Sequence, residues 1–298
     1  MPMVDVIIPA YNAARYLSVA IESVRAQTFE DWRIVLVNDG STDDTAAIAS
    51  RYAGQLGAKL KYVEQPNQGL PAARNAAIRN SSAEYLALLD ADDVWLPRRL
   101  EASLQCFENR PAVGLSYGFI AWIDAQGKIL RTFAERQKHG EGKIAPYIYM
   151  RSVHLPCPTI TFRRKCVEEV GLFDESLRAT EDRDLWLRIA LRYEVALVPS
   201  LLAHYRTSAG SMSSDPERML QAQLRFIDKH YGAAGCGRMA RRIALSRSYQ
   251  QYAEALGSRR RMGSALWSCL RAVALYPADL SAARTAASLV LRCAGLSA

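Results

Sequence analysis

Over the first ninety residues the chain switches repeatedly between two hydrophobic periods. Val4-Asp5-Val6-Ile7-Ile8 is a β-branched run stopped by Pro9, and residues 14–26 then carry apolar side chains at helical spacing. A second apolar run, 32–37, closes on Asn38-Asp39-Gly40, and Ser41-Thr42-Asp43-Asp44 supplies an entry to a helix over 46–56. A strand over 59–64, a helix over 72–80 and a strand over 85–89 continue the rhythm. Such alternation predicts an α/β fold with a mostly parallel, Rossmann-like central sheet flanked by helices. Beyond Pro216 the period is helical throughout, over 217–231, 238–256, 262–276 and 280–293, which predicts a C-terminal α-helical extension after a domain of residues 1–215. Tyr252, Ala255, Leu256 and Gly257, followed by Ala265, Leu270, Ala272, Ala274 and Pro277, resemble one helical hairpin of the tetratricopeptide type.

Parallel sheets bind ligands outside the carboxyl ends of their strands. Four polar loops fall there: Pro9-Ala10-Tyr11-Asn12, Asp39-Gly40-Ser41, Asn67-Gln68-Gly69 and Asp90-Ala91-Asp92. In extended backbone Asp90 and Asp92 point to one side, and their repulsion calls for a cation. Hard oxygen ligands without nearby Cys or paired His favour Mg2+ or Mn2+. The competing reading is a solvated turn in which Asp93 caps a helix beginning near Leu96-Pro97. For a nucleoside diphosphate ligand, Asp39 can accept from the base, and Gly40 allows close approach. Asn67 and Gly69 can line the base pocket, and Arg74 can offer charge to phosphate. Neither Gly-x-Gly-x-x-Gly nor a P-loop occurs, which argues against a dinucleotide oxidoreductase and a P-loop enzyme.

A second acidic cluster, Glu181, Asp182 and Asp184, precedes the apolar run Leu185, Trp186, Ile189 and Leu191. It either charges the first turn of a helix or supplies a second carboxylate to the cleft. On a helix Asp182 and Asp184 stand about 200° apart, so only one can face a ligand. Asp182 is the expected one. Glu181 can orient it or meet a ligand, and Trp186 can stack on a ligand or pack in the core.

Composition adds limits. Half of the 298 residues are hydrophobic, enough for a large core without disulfides, and the six cysteines show no Cys-x-x-Cys pair, as in a reduced cytosolic protein. No run of 18 apolar residues and no basic, apolar leader is present, so neither a spanning helix nor a secretory signal is expected. The net charge of +8 is concentrated beyond residue 215, where 13 Lys and Arg face 4 Asp and Glu. Those charges read as solvated helix faces or as contacts to anionic lipid at the inner membrane surface. Nucleic acid ranks last, because no base-reading pattern accompanies them. Packing on the catalytic domain or pairing with a second copy are further uses for the helices.

Val6-Ile7-Ile8-Pro9-Ala10-Tyr11-Asn12, Val37-Asn38-Asp39-Gly40-Ser41-Thr42-Asp43, Asn67-Gln68-Gly69 with Ala73-Arg74-Asn75, and Leu89-Asp90-Ala91-Asp92-Asp93 together resemble the ordered signatures of a family 2 glycosyltransferase with the GT-A fold. The resemblance extends through Arg163-Arg164, 171–175, 181–186 and His204-Tyr205-Arg206, covering roughly residues 3–214. It implies a nucleotide-binding half to about residue 95 and an acceptor half from 96 to 215, with the irregular segment 119–158 supplying acceptor-side loops. It also implies inverting, metal-dependent transfer from a nucleotide diphosphate sugar, UDP-linked by preference, to a glycan or lipid-linked acceptor in surface polysaccharide or lipopolysaccharide synthesis. Asp39 would recognise the base, Asp90 the ribose and Asp92 the metal, with Pro9, Tyr11, Asn12 and Ala91 lining the nucleotide and Asp182 acting as general base. Arg206 and His204 precede a small polar stretch, 207–213, that could order over diphosphate. Many relatives carry His where this chain has Ser208, which puts a contact from that position in doubt. A nucleotidyltransferase, which has no use for a distant base at Asp182, and a nucleotide-sugar-binding scaffold that has lost catalysis are the rival readings.

Overall fold

The computed structural model describes residues 2–132, 140–177, 179–207 and 215–293. The chain divides into two compact units. Residues up to 144 together with 153–208 form the first, and residues 145–152 join the C-terminal helices from 209 onward in the second.

The first unit opens with the expected alternation: β1 Val4–Ala10, α1 Leu17–Arg25, β2 Trp32–Asp39, α2 Thr45–Leu56, β3 Leu60–Gln65, α3 Leu70–Arg79 and β4 Tyr85–Leu88. After it come β5 Val94–Trp95, α4 Arg99–Gln105, β6 Val113–Ile123 and β7 Ile129–Thr132. α5 Ala145–Tyr149 belongs to the second unit. β8 Thr161–Arg163, α6 Arg164–Val170, α7 Glu181–Ala190 and β9 Glu194–Arg206 complete the first. One sheet runs β3-β2-β1-β4-β8-β6-β9-β5, with β7 beside β6. The β3-β2-β1-β4 half is parallel, as the alternating pattern requires. Beyond β4 the sheet is mixed: β8 runs antiparallel to both neighbours, while β6 and β9 are parallel.

β1 and β4 are buried along their whole length and β2 everywhere but at Arg33, so their side chains are mostly apolar on both faces, as expected of strands covered on both sides. The one charge inside β1, Asp5, is fully buried. Both its oxygens accept from Arg33 at 2.9 Å, and one also accepts from the backbone N–H groups of Ser82 and Ala83. That pairing ties β1 to β2 and to the entry of β4.

The second unit continues with α8 Pro216–Lys229, α9 Arg238–Ser258, α10 Met262–Leu275 and α11 Leu280–Cys293. α9 and α10 form a hairpin whose core holds Ala253, Leu256, Ala265 and Cys269, with Leu289 of α11. Gly257 lets α11 approach closely there, since a Cβ would stand 2.5 Å from the end of the Leu289 side chain. Leu270, one of the positions in the repeat-like spacing, faces solvent, and Cys269 one residue earlier takes the inward position. No described helix is long and apolar enough to cross a membrane.

Asp5→Ala leaves the Arg33 guanidinium and two backbone N–H groups without their acceptor and should cost about 3 kcal/mol. The expected result is a lower urea midpoint with an unchanged slope.

Candidate active site

The carboxyl ends of β1, β2 and β4 carry the rim, and its loops are bonded to one another. Asn12 sits at φ +48° and its side-chain oxygen accepts from the Thr42 N–H at 2.8 Å, while its own N–H donates to Ser41 Oγ. The Ala13 and Ala14 N–H groups donate to Thr45 Oγ1 and Asp43. Asn12 therefore clasps the loop after β1 to the loop after β2, a role its sequence position did not signal. Pro9 is buried within β1, and Tyr11 is exposed beside it.

Asp39, at the end of β2, is buried and has both oxygens engaged. Oδ1 accepts from Gln65 Nε2 and the Gln68 N–H, and Oδ2 from the Gly69 N–H at 2.8 Å. It thereby folds the Asn67–Gly69 loop over the end of β2. Gly40, at φ +70°, admits that loop, for a Cβ would lie 2.6 Å from the Asn67 nitrogen.

Arg74 of α3 is only 2% exposed. Its Nη2 donates to Asp90 at 2.8 Å and to the Cys157 thiol sulfur at 3.2 Å, and its Nη1 donates to Glu181 at 2.9 Å. Burial pulls the guanidinium pKa down, but the charges around it, led by Asp90, outweigh burial and hold it well above its ordinary value. The expected phosphate contact is thus replaced by a buried bridge between the two acidic loops. Asn75, next on α3, exchanges two 2.9 Å bonds with the Phe173 backbone, fixing the segment that leads to α7. The sequence Ala73-Arg74-Asn75 flagged this place without disclosing that both side chains point into the protein.

Asp90 keeps its side chain 23% exposed, and Ala91 is buried beneath it. Burial, reinforced by the charge of Asp90, pushes the Asp92 carboxyl up to about 6. Asp93 does not cap a helix: α4 begins later, at Arg99, and Asp93 is buried with Oδ1 accepting from the Arg206 N–H at 2.8 Å. Among the described residues its Oδ2 has no hydrogen-bond partner, and burial together with the charges of Asp92 and Asp90 raises its pKa well above the usual carboxylate range.

Arg206 is also mostly spoken for. Its Nε donates to the Asp92 carbonyl and its Nη1 to the Asp124 carbonyl, both at 2.8 Å, and the guanidinium lies 4.3 Å from the Tyr16 ring centre. It braces the Asp92 loop from behind, in place of the free phosphate contact expected of it. His204 pairs with Val94 across β9 and β5, and burial, then the charge of Arg206, lowers its pKa. It lines a cavity of about 420 Å3 with Arg15, Tyr16, Ile123 and Arg206. The contact considered for 207–213 lies, apart from Thr207, outside the described residues.

On α7 the acidic residues separate as helix geometry requires. Asp184 is fully buried and bound to Arg188, which donates to the carbonyls of Val170, Gly171 and Leu172. Glu181 is buried against Arg74, and burial, then the charge of Asp182, pushes it up to about 7. Asp182 is half-buried, in the first turn, where one oxygen accepts from the Arg183 N–H. Trp186 does not present a face to a sugar: it is 2% exposed and packs against Phe162 and Phe173, each with ring centres 6.0 Å away. Its apolar bulk at helical spacing placed it in the core. Among the described residues no three His, Cys, Asp or Glu side chains form a metal cage of their own.

Comparison with known proteins agrees with this architecture. Residues 5–171 match the model of glycosyl transferase family 2. An uncharacterized glycosyltransferase of Nostoc sp. is 32% identical over 267 residues, covering 83% of this chain and 80% of that protein. An uncharacterized glycosyltransferase of Rickettsia prowazekii is 34% identical over 196 residues, covering 63% of this chain and 58% of its own length. The chain thus spans little more than half of that relative, and 31% of a Rickettsia felis one. Among solved structures, S. aureus TarS 1-349 superposes with a TM-score of 0.65 at 18% identity, over 96% of this chain and 90% of that one. Mannosyltransferase PcManGT from Pyrobaculum calidifontis, in complex with GDP-Man and Mn2+, gives 0.66 at 20% identity, over 97% and 81%. With the family model covering more than half its length and a fold shared with GT-A enzymes, the chain belongs to glycosyl transferase family 2.

Proposed function

We propose that the chain transfers a sugar, with inversion, from a nucleoside diphosphate donor held at the β1, β2 and β4 rim to a hydroxyl of a glycan or lipid-linked acceptor near α7. The observation that carries this reading is Arg74, whose one guanidinium binds Asp90 on the donor side and Glu181 on the α7 side. Inversion requires in-line attack from the face opposite the leaving group, so base and leaving-group stabiliser must come from different elements. Asp182, beside Glu181, meets that requirement. Its carboxylate takes the proton as the acceptor oxygen bonds to the anomeric carbon and the bond to the diphosphate oxygen breaks. Burial, then the charge of Asp182, favours the protonated form of Glu181, in which it can donate a hydrogen bond beside Asp182.

The acidic loop suits a divalent cation. Asp92 is pushed up to about 6 by burial and the neighbouring charge, and a buried oxygen of Asp93 has no hydrogen-bond partner among the described residues, so a hard cation would relieve the strain on ionising Asp92. Two carboxylates at most face outward, and donor diphosphate oxygens would complete the coordination, as is usual for Mg2+ or Mn2+. When bound, the ion would offset charge developing on the departing diphosphate. TarS has been crystallised in complex with UDP and with UDP-GlcNAc, and PcManGT with GDP-Man and Mn2+, which supports a nucleotide-sugar donor here and leaves uridine and guanosine as the bases to compare. Asp39, through its hold on Asn67–Gly69, would shape the base pocket.

Asp182→Asn should lower kcat by roughly a hundredfold to ten-thousandfold with donor affinity nearly unchanged, whereas Asp92→Asn should weaken donor binding in Mn2+ by on the order of tenfold. Calorimetric titration beside transfer kinetics separates the two, and equal loss of donor binding in both variants refutes the division of roles. A thermal-shift screen of UDP- and GDP-sugars should raise Tm in Mn2+ and lose most of that gain in EDTA, because a donor bound only by native protein stabilises it by mass action. An identical shift with and without metal contradicts the ion's place at Asp92.

A further inference from the structure

Arg183 follows Asp182 in the first turn of α7, and it is half-buried. Its backbone N–H donates to Asp182, but among the described residues its guanidinium donates no hydrogen bond and forms no ion pair. Nη1 is sealed from water without a partner, while the other two guanidinium nitrogens keep contact with solvent. Burial lowers the pKa of the group, and the charge of Asp182 opposes that shift. The head thus lies near enough to feel the Asp182 carboxylate without being bonded to it.

Other guanidinium groups turned into the first unit are met by protein oxygens. Arg33, Arg74 and Arg188 meet carboxylates. Arg99, fully buried, donates instead to the carbonyls of Pro158 and Ile160 and to the Thr161 hydroxyl. A donor sealed without an acceptor is costly, because it gives up water and gains no bond in return. At Arg183 that cost is carried one residue from the candidate base, where a ligand oxyanion can remove it. The head can turn toward such a ligand without breaking a protein bond, and its planar fork matches the paired oxygens of a phosphate or a carboxylate.

Position decides which reactant brings the anion. On the transfer reading, on which this step rests, inversion sets the base and the departing diphosphate on opposite faces of the sugar. Arg183, adjacent to the base, therefore stands on the acceptor side, and the donor diphosphate belongs to the Asp92 loop. We propose that Arg183 binds an oxyanion of the acceptor, a phosphate or a carboxylate, and so selects an anionic acceptor over a neutral one.

Calorimetric titration of the full chain with phenyl β-D-glucoside, phenyl β-D-glucuronide and phenyl β-D-glucoside 6-phosphate compares neutral, carboxylate and phosphate probes on one sugar, with no turnover required. At least one anionic probe is expected to bind about tenfold more tightly than the neutral one, by an amount that shrinks as salt rises, and the tighter of the two names the anion. Arg183→Gln should erase the preference and Arg183→Lys should retain part of it. Arg183→Gln should also leave Tm unchanged or raised, since it removes a donor that had no acceptor. Asp182→Asn, which stops transfer on that reading, should keep the preference or sharpen it by removing a negative neighbour. Equal affinities for all three probes in wild type overturn the proposal, as does a preference that survives in Arg183→Gln. Loss of the preference together with a lowered Tm overturns it too, because that marks a guanidinium holding the fold. Absent turnover with the preference intact counts instead against the transfer reading and supports the oxyanion site.

Discussion

A guanidinium almost sealed from water holds the two acidic loops of this protein on one centre. Moving Arg74 out of solvent is expensive, and the cost is met only because Asp90 and Glu181, distant in sequence, each lie within 3 Å of it. The pairing also sorts the carboxylates. Asp90 and Glu181 share the charge of Arg74, Asp184 takes that of Arg188, and Asp93 accepts from the backbone of Arg206. Among the described residues Asp92 and Asp182 have no equivalent arginine partner. Those two are the groups with charge to spend, one suited to a cation and the other to a proton.

Around that centre the loops of the site are tied to one another by protein hydrogen bonds. Asn12 joins the loops after β1 and β2, Asp39 folds the Asn67–Gly69 loop, Asn75 fixes the segment before α7, and Arg206 braces the Asp92 backbone. Geometry fixed in this way is paid for during folding, and a donor bound to it loses less freedom at the moment of transfer.

The parallel half of the sheet was legible because each strand announces itself by a local run of apolar residues and each helix by its period. Strands β5, β6, β8 and β9 were not, since their pairing depends on partners up to a hundred residues away and leaves no local trace. The rim loops were found by position, and the family to which the chain belongs sets aside the nucleotidyltransferase alternative. What the sequence concealed was the direction of individual side chains. Arg74 and Arg206 look like phosphate ligands in one dimension, and in the fold carboxylates and carbonyls from remote loops accept from both of them. Trp186 was ambiguous for a different reason: a large aromatic at helical spacing serves core and sugar platform equally, and Phe162 and Phe173 decide the matter.

The central claim is that Asp92 and Asp182 stand on opposite sides of one sugar carbon, with Arg74 bridging the loops that carry them. A crystal structure with a non-hydrolysable nucleotide sugar and Mn2+ tests it most directly. The account predicts the ion on Asp92 and the donor diphosphate, the Asp182 carboxylate facing the anomeric carbon from the opposite side, and the Arg74 bridge intact. An anomeric carbon approached from that side by some other group, or an Asp182 carboxylate walled off from it by protein, contradicts the account.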